Sequence, residues 1–209
     1  MRLFHFLSAV YGLKDIRERR LKIARIDALN DPFEFLGAEV SNKQLRAALN
    51  KAKVSLSEKH GLLCFSKNWQ DPVQWAHYAD NHRGLCLAFE MPDHLPRQVS
   101  YVNSRFKWGN PIDEGFMQQL LFTKFAHWSY EDEYRVYTDL SEAEDGLYYA
   151  NFSDSFKLCG VIVGAKSSIT RTQLCEALGD LQESVESFKA RPAFRSFCIV
   201  RNKNARLWT

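Results

Sequence analysis

The chain has 209 residues, with 28 basic against 25 acidic side chains, a net charge of +3 and 45% hydrophobic positions. That is enough apolar material for a sizeable core, and 13% aromatic residues exclude wholesale disorder. The mild charge does not demand nucleic acid, yet it is compatible with an anionic ligand. No apolar run approaches the roughly 20 residues of a membrane span, and MRLFHFLSAV is too short and too soon followed by charges for a secretory signal. A cytoplasmic protein with no membrane association is therefore expected. The odd set Cys64, Cys86, Cys159, Cys175 and Cys198 sits mostly in apolar runs and reads as reduced thiols rather than a disulfide framework.

In chain order, LFHFLS (3–8) predicts a first strand, and YGLKDIRERR a short helix with Leu13 and Ile16 inward. LKIARIDAL (21–29) alternates as an extended segment. Asn30, Asp31, Pro32 and Glu34 then predict a capped turn, with a proline at the first helical position and a capping-box glutamate. Residues 43–56 carry helical spacing through Leu45, Leu49 and Ala52. GLLCFS (61–66) predicts an apolar strand, and Asp71, Pro72 and Gln74 open a helix through about His82, closed by Gly84.

GLCLAFEM (84–91) and QVSYVN (98–103) predict strands, and Asp113 to Phe125 a helix. YEDEYRVYTD (130–139), YYANF, KLCGVIVG (157–164) and FRSFCIVR (194–201) complete the predicted strands. Between the last two, Leu174, Leu178, Leu181, Val185 and Phe188 fall on one helical stripe. With no repeat, low-complexity tract or linker, the reading is one mixed α+β domain over 1–209.

Several residues carry candidate chemistry, each with a plainer alternative. His5 points opposite Phe4 and Phe6, into a pocket or toward a satisfying backbone carbonyl. Trp75, Tyr78, Ala79 and His82 share a helical face that could stack on a ligand ring or pack as core. Ser66 is a ligand donor or a routine turn residue. A period of two puts Glu131, Glu133, Arg135 and Tyr137 on one face. That face is either an exposed charged edge or a site where one glutamate stabilises developing positive charge, the other orients an acceptor and Arg135 holds the pair. The clusters Arg17, Arg19, Arg20, Lys22, Arg25 and Arg201, Lys203, Arg206 are phosphate contacts or solvated surface. No HExxH, CxxC, Gly-rich phosphate loop or GxSxG elbow occurs, so no metal is expected and P-loop, Rossmann and hydrolase chemistry is disfavoured.

Taken together, the LFHF-type strand, NDPFE, CFS, WAHYADNHRG and W-x-YEDEYR resemble a bacterial family described as a domain of unknown function. More distantly, three segments resemble the ADP-ribosyltransferase fold in its poly(ADP-ribose) polymerase-like, His-Tyr-Glu branch. LFHFLSAVYGLKDIRERRLKIA resembles the opening strand with its histidine, at His5. GLLCFSKNWQDPVQWAHYA resembles the Gly-led strand, loop and helix ending in a tyrosine, at Tyr78, with a serine at Ser66 and Trp75 as a second stacking candidate. EYRVY resembles the strand opened by the catalytic glutamate, at Glu133, and Glu131 adds an E-x-E pattern.

The resemblance implies a split-sheet core with flanking helices and an enzyme that uses NAD as substrate without a metal. Nicotinamide would stack on Tyr78, Ser66 would hold its carboxamide, and His5 would bond a ribose hydroxyl. Glu133 would stabilise the oxocarbenium-like transition state as nicotinamide leaves. The acceptor stays open among protein, nucleic acid, small molecule and water, and the family's flavour suggests a toxin or phage-defence effector. Two other readings stand beside it: a non-catalytic nucleotide- or partner-binding module of the same fold, and a nucleic-acid-acting enzyme using Asp31, Glu34 and the basic clusters.

Overall fold

The run LCLAFE is apolar at nearly every position, the pattern of a strand covered on both faces. It forms β4 (Leu85–Glu90), in which only Glu90 is exposed. The computed structural model describes residues 1–107 and 112–208. The chain is α+β, a large mixed sheet with several helices, and no helix among the described residues is long and apolar enough to cross a membrane. It divides into two units: Met1–Leu21, Phe65–Asp93 and Ala150–Thr209 make unit 1, and Lys22–Cys64 and His94–Tyr149 make unit 2.

In unit 1, β4 lies between β1 (Arg2–Leu7) and β10 (Lys157–Val163), antiparallel to both. His5 is opposite Leu87 and Phe4 opposite Ala88. β11 (Glu186–Pro192) runs parallel to β10 and is followed by the antiparallel β12 (Ile199–Arg201). Helices α1 (Ala9–Glu18), α3 (Pro72–Tyr78) and α5 (Arg171–Leu178) belong to the same unit. Asp71 caps α3 by accepting from the N–H groups of Val73 and Gln74, with Pro72 at the first helical position. Trp75 and Ala79 then pack with Phe6, Cys86, Ile162, Ala190 and Ile199 in one buried apolar cluster.

Unit 2 holds α2 (Lys43–Lys59), α4 (Glu114–Leu121) and short strands. β2 (Arg20–Arg25) and β3 (His60–Ser66) each cross the boundary, and within unit 2 Ala24 is opposite Leu62. β5 (Arg97–Gln98) is antiparallel to β8 (Glu133–Asp139), and β6 (Ser100–Val102) is parallel to β7 (Thr123–Phe125). β9 (Tyr148–Asn151) also crosses the boundary, after Tyr149. Phe35, Leu45, Leu49, Leu62, Leu120 and Leu121 are among the residues of its apolar core.

The structure departs from the sequence reading at several places; the predicted strand 194–201, for one, is regular only over β12. Residues 32–35 are a turn rather than a helix start: Asp31 Oδ1 accepts from Phe33 N–H, and Glu34 leaves the capping role for a distant arginine. The helix predicted from Asp71 through about His82 ends at Tyr78, because Asp80, Asn81 and His82 all take left-handed φ values of 45°, 51° and 70°. These residue types tolerate that region best after glycine. At Gly84 a Cβ would lie 2.0 Å from the Leu7 carbonyl oxygen, so no side chain fits where the turn rejoins the sheet. The Asp113–Phe125 helix stops at Leu121 and gives way to β7. The stripe from Leu174 to Phe188 is broken at Gly179, whose φ is 54°, and Phe188 lies in β11.

Candidate functional site

Five charged side chains are buried together in unit 2, where transfer from water is costly unless each is paired. The 31–35 turn supplies Glu34, β7 supplies Lys124, the 3-10 turn Ala126–Glu131 supplies Glu131, and β8 supplies Glu133 and Arg135. Asp132, with φ 42°, separates the two acids of YEDEYR and ends the turn before the strand begins. Glu131 is therefore not part of the strand, and of the two readings of this face the exposed edge fails at Glu133 and Arg135: Arg135 is 1% exposed and Glu133 5%.

Arg135 satisfies all five of its donors. Nε donates to Glu133 Oε1 at 2.7 Å, and Nη2 donates to Glu133 Oε2 at 2.9 Å and Glu34 Oε1 at 2.5 Å. Nη1 donates to Glu34 Oε2 at 3.0 Å and to the Leu121 carbonyl at 2.6 Å. Lys124 Nζ donates to Glu131 Oε2 at 2.5 Å and Glu133 Oε2 at 3.3 Å, with Glu34 Oε1 at 3.8 Å. The same ammonium lies 4.7 Å from the centre of the Trp128 ring. Tyr101 accepts the Glu133 backbone N–H through its hydroxyl at 2.9 Å, which fixes the start of β8.

These contacts decide the protonation. Burial disfavours the Glu133 carboxylate, but the Arg135 guanidinium and then Lys124 overcome it and hold the group below the ordinary carboxylate range. Burial also works against the charge of Lys124, and Glu133 and Glu131 reverse that, raising it above a free lysine. Burial pushes the Cys64 thiol and the Tyr101 phenol up. Formally, three carboxylates face two cations, so the cluster carries one negative charge in excess.

Lys124 also lines a cavity of about 250 Å³ with Phe33, Asn103, Ser104, Arg105 and Thr123 among its walls. Arg105 holds its guanidinium 5.4 Å above the Phe33 ring, giving the cavity a flat apolar surface beside a cation. The cavity thus has a phenyl ring, a guanidinium and polar side chains among its walls, and Lys124 is shared between it and the charge cluster.

The other sequence-predicted residues lie in unit 1. His5 is half-buried in β1, on the strand face opposite Phe4 and Phe6, with its ring 5.6 Å from Phe65. Ser66 Oγ donates to the Asn68 carbonyl at 3.0 Å and accepts from Asn68 N–H and Gln74 Nε2. Trp75 is fully buried and donates Nε1–H to the Trp69 carbonyl at 2.6 Å. Tyr78 is partly buried against the same apolar cluster. The structure thus brings Glu131, Glu133 and Arg135 together in unit 2, and gathers Ser66, Trp75 and Tyr78 around the α3 segment of unit 1.

Sequence reasoning read Glu34 as a capping-box glutamate or part of a nucleic-acid site, not as a partner of Arg135, and did not single out Lys124. The one sequence signal that bears on this pairing is the acidic NDPFE motif, which has no counterpart in the resemblance to the transferases. Comparison with protein-family models, curated proteins and solved structures gives no match for this chain.

Proposed function

We propose that the chain is an ADP-ribosyltransferase-like enzyme that binds NAD at the unit 2 cavity and cleaves its nicotinamide–ribosyl bond beside Glu131 and Glu133. The observation that carries this reading is the excess carboxylate of the cluster next to a cavity with a ring-stacking wall. Positive charge develops on the ribose as the bond to nicotinamide breaks, and a buried site of net negative charge is preorganised to stabilise it. Nicotinamide departs neutral with the bonding electron pair. The acceptor nucleophile then bonds to the ribose carbon and releases its proton to solvent.

In this scheme Arg135 and Lys124 hold two carboxylates in fixed positions, Phe33 meets a ring face, and Arg105 meets the phosphate part of the dinucleotide. A volume of about 250 Å³ suits the nicotinamide–ribose half better than the whole ligand. The test is chromatographic detection of nicotinamide from NAD, with a Kd for NAD measured alongside. Wild type releases nicotinamide, and Arg105→Gln and Phe33→Ala raise KM about tenfold with a smaller change in kcat. Absence of both release and NAD binding contradicts the proposal.

A second reading, a binding module without turnover, has its own supporting observation: Arg135 engages both oxygens of Glu133. NAD binding that depends on Phe33 and Arg105, with no nicotinamide released, selects it over the enzyme.

A further inference from the structure

Charge is unevenly distributed along the chain. Residues 187–209 contain Lys189, Arg191, Arg195, Arg201, Lys203 and Arg206 and no acidic residue, while residues 1–186 hold 22 basic against 25 acidic side chains. The basic segment includes β11 after its first residue, Glu186, which pairs with Arg201, then β12 and their connection, which is closed by Ala193 N–H donating to the Cys198 carbonyl at 2.9 Å. At its tip Phe194 is 88% exposed and Phe197 100% exposed. Large apolar groups left open in this way mark interaction surfaces more often than scattered ones do. Arg191 places its guanidinium 4.2 Å above the Phe194 ring.

The connection borders an open groove of about 700 Å³, which His82, Lys166, Phe194, Arg195 and Phe197 help to line. His82 closes the left-handed Asp80-Asn81-His82 run, and its carbonyl accepts Lys166 N–H at 3.0 Å. Three successive residues at positive φ are an uncommon local cost, of the kind that persists where the surroundings fix a functional shape. His82 stacks over Trp75 with planes 8° apart and centres 6.4 Å apart, so the buried tryptophan sets its ring plane. Burial and the Lys166 ammonium hold its imidazole below the ordinary range, leaving a neutral ring at neutral pH.

We infer that this unit 1 groove binds single-stranded nucleic acid, with Phe194 and Phe197 as base-stacking platforms and Lys166, Arg191 and Arg195 as phosphate contacts. The F-R-S-F order sets a cation between two rings, which suits the alternation of base and phosphate along a strand. A bilayer-inserting loop needs contiguous apolar residues, and here Arg195 and Ser196 interrupt them. Duplex DNA keeps its bases stacked within, out of reach of the phenyl rings. The inference is independent of the NAD reading, which concerns unit 2.

The test is fluorescence anisotropy with a labelled oligothymidylate of about ten nucleotides, at low and moderate salt, beside a duplex of the same length and vesicles of phosphatidylcholine with phosphatidylserine. Wild type binds the single strand more tightly than the duplex, and Phe194→Ala and Phe197→Ala each weaken binding about tenfold or more. Arg195→Gln and Lys166→Gln each lower the slope of log affinity against log salt by about 0.7. Because both phenylalanines are exposed, their variants retain the wild-type melting temperature, which separates lost binding from lost folding. Equal binding by wild type and a Phe194→Ala/Phe197→Ala double variant overturns the inference. So does phenylalanine-dependent binding to vesicles with none to the oligonucleotide.

Discussion

Arg135 in unit 2 and Arg195 in unit 1 carry the same guanidinium in opposite settings. The first makes five hydrogen bonds and is 1% exposed, whereas the second lies exposed on a groove beside two open phenyl rings. A fully paired buried cation has no donor left for a ligand, so its work is to hold carboxylates in place. An exposed one among aromatics costs the fold little and stays available to a partner. The contrast separates what positions a site from what recognises a molecule, and substitution at each region tests it.

The largest effect is expected at Arg135. Arg135→Met leaves Glu34 and Glu133 buried with Lys124 as their remaining cation, and the cost is about 3–5 kcal/mol in denaturant unfolding. Glu34→Gln costs less, and the pair Glu34→Gln with Arg135→Met shows coupling of about 0.5–3 kcal/mol, because they share one network. Additive effects would place the two residues in separate interactions.

pH acts on the same cluster with a definite sign. Glu133 is depressed when folded, so its contribution is present above its unfolded value, near about 4.3, and is lost as pH falls through the lower folded value. Lys124 is raised when folded, so its contribution is complete below about 10.4 and is lost only as pH rises through the higher folded value. Stability measured against pH is therefore flat between these limits as far as the two groups are concerned, and Glu133→Gln removes part of the acid-side fall.

In unit 1 the effects are smaller. Asn81→Ala forces alanine into φ 51° and costs about 1 kcal/mol. Phe197→Ala changes stability by less than about 0.5 kcal/mol, as expected for a fully exposed side chain, and shows itself only in oligonucleotide binding. A melting shift at Phe197 as large as that at Arg135 would erase the distinction between the two regions.

Much of this was legible in local sequence. Apolar β4, the Asp71-Pro72 cap and the alternation that sets His5 opposite Phe4 and Phe6 are all short-range patterns, and the structure carries them. Glu133 and Arg135 share a face as a period of two requires. The site's burial was not legible, because it depends on Glu34, 101 residues away, meeting Arg135. A capping box and a buried ion-pair partner look alike in the five letters NDPFE, and only tertiary contact separates them. The early end of α3 was written in Asp80-Asn81-His82, but each of these residues is also tolerated in a helix, so the left-handed run was masked by the regular spacing of Trp75, Tyr78, Ala79 and His82.

The central claim is that the Glu133 carboxylate, held by Arg135 and Lys124, stabilises charge during NAD cleavage. The most direct measurement is the initial rate of nicotinamide release by wild type and by Glu133→Gln, with NAD affinity measured for both. Near-equal affinity is expected, with a rate at least about a hundredfold lower in the variant. Equal rates, or no release from wild type, would contradict it.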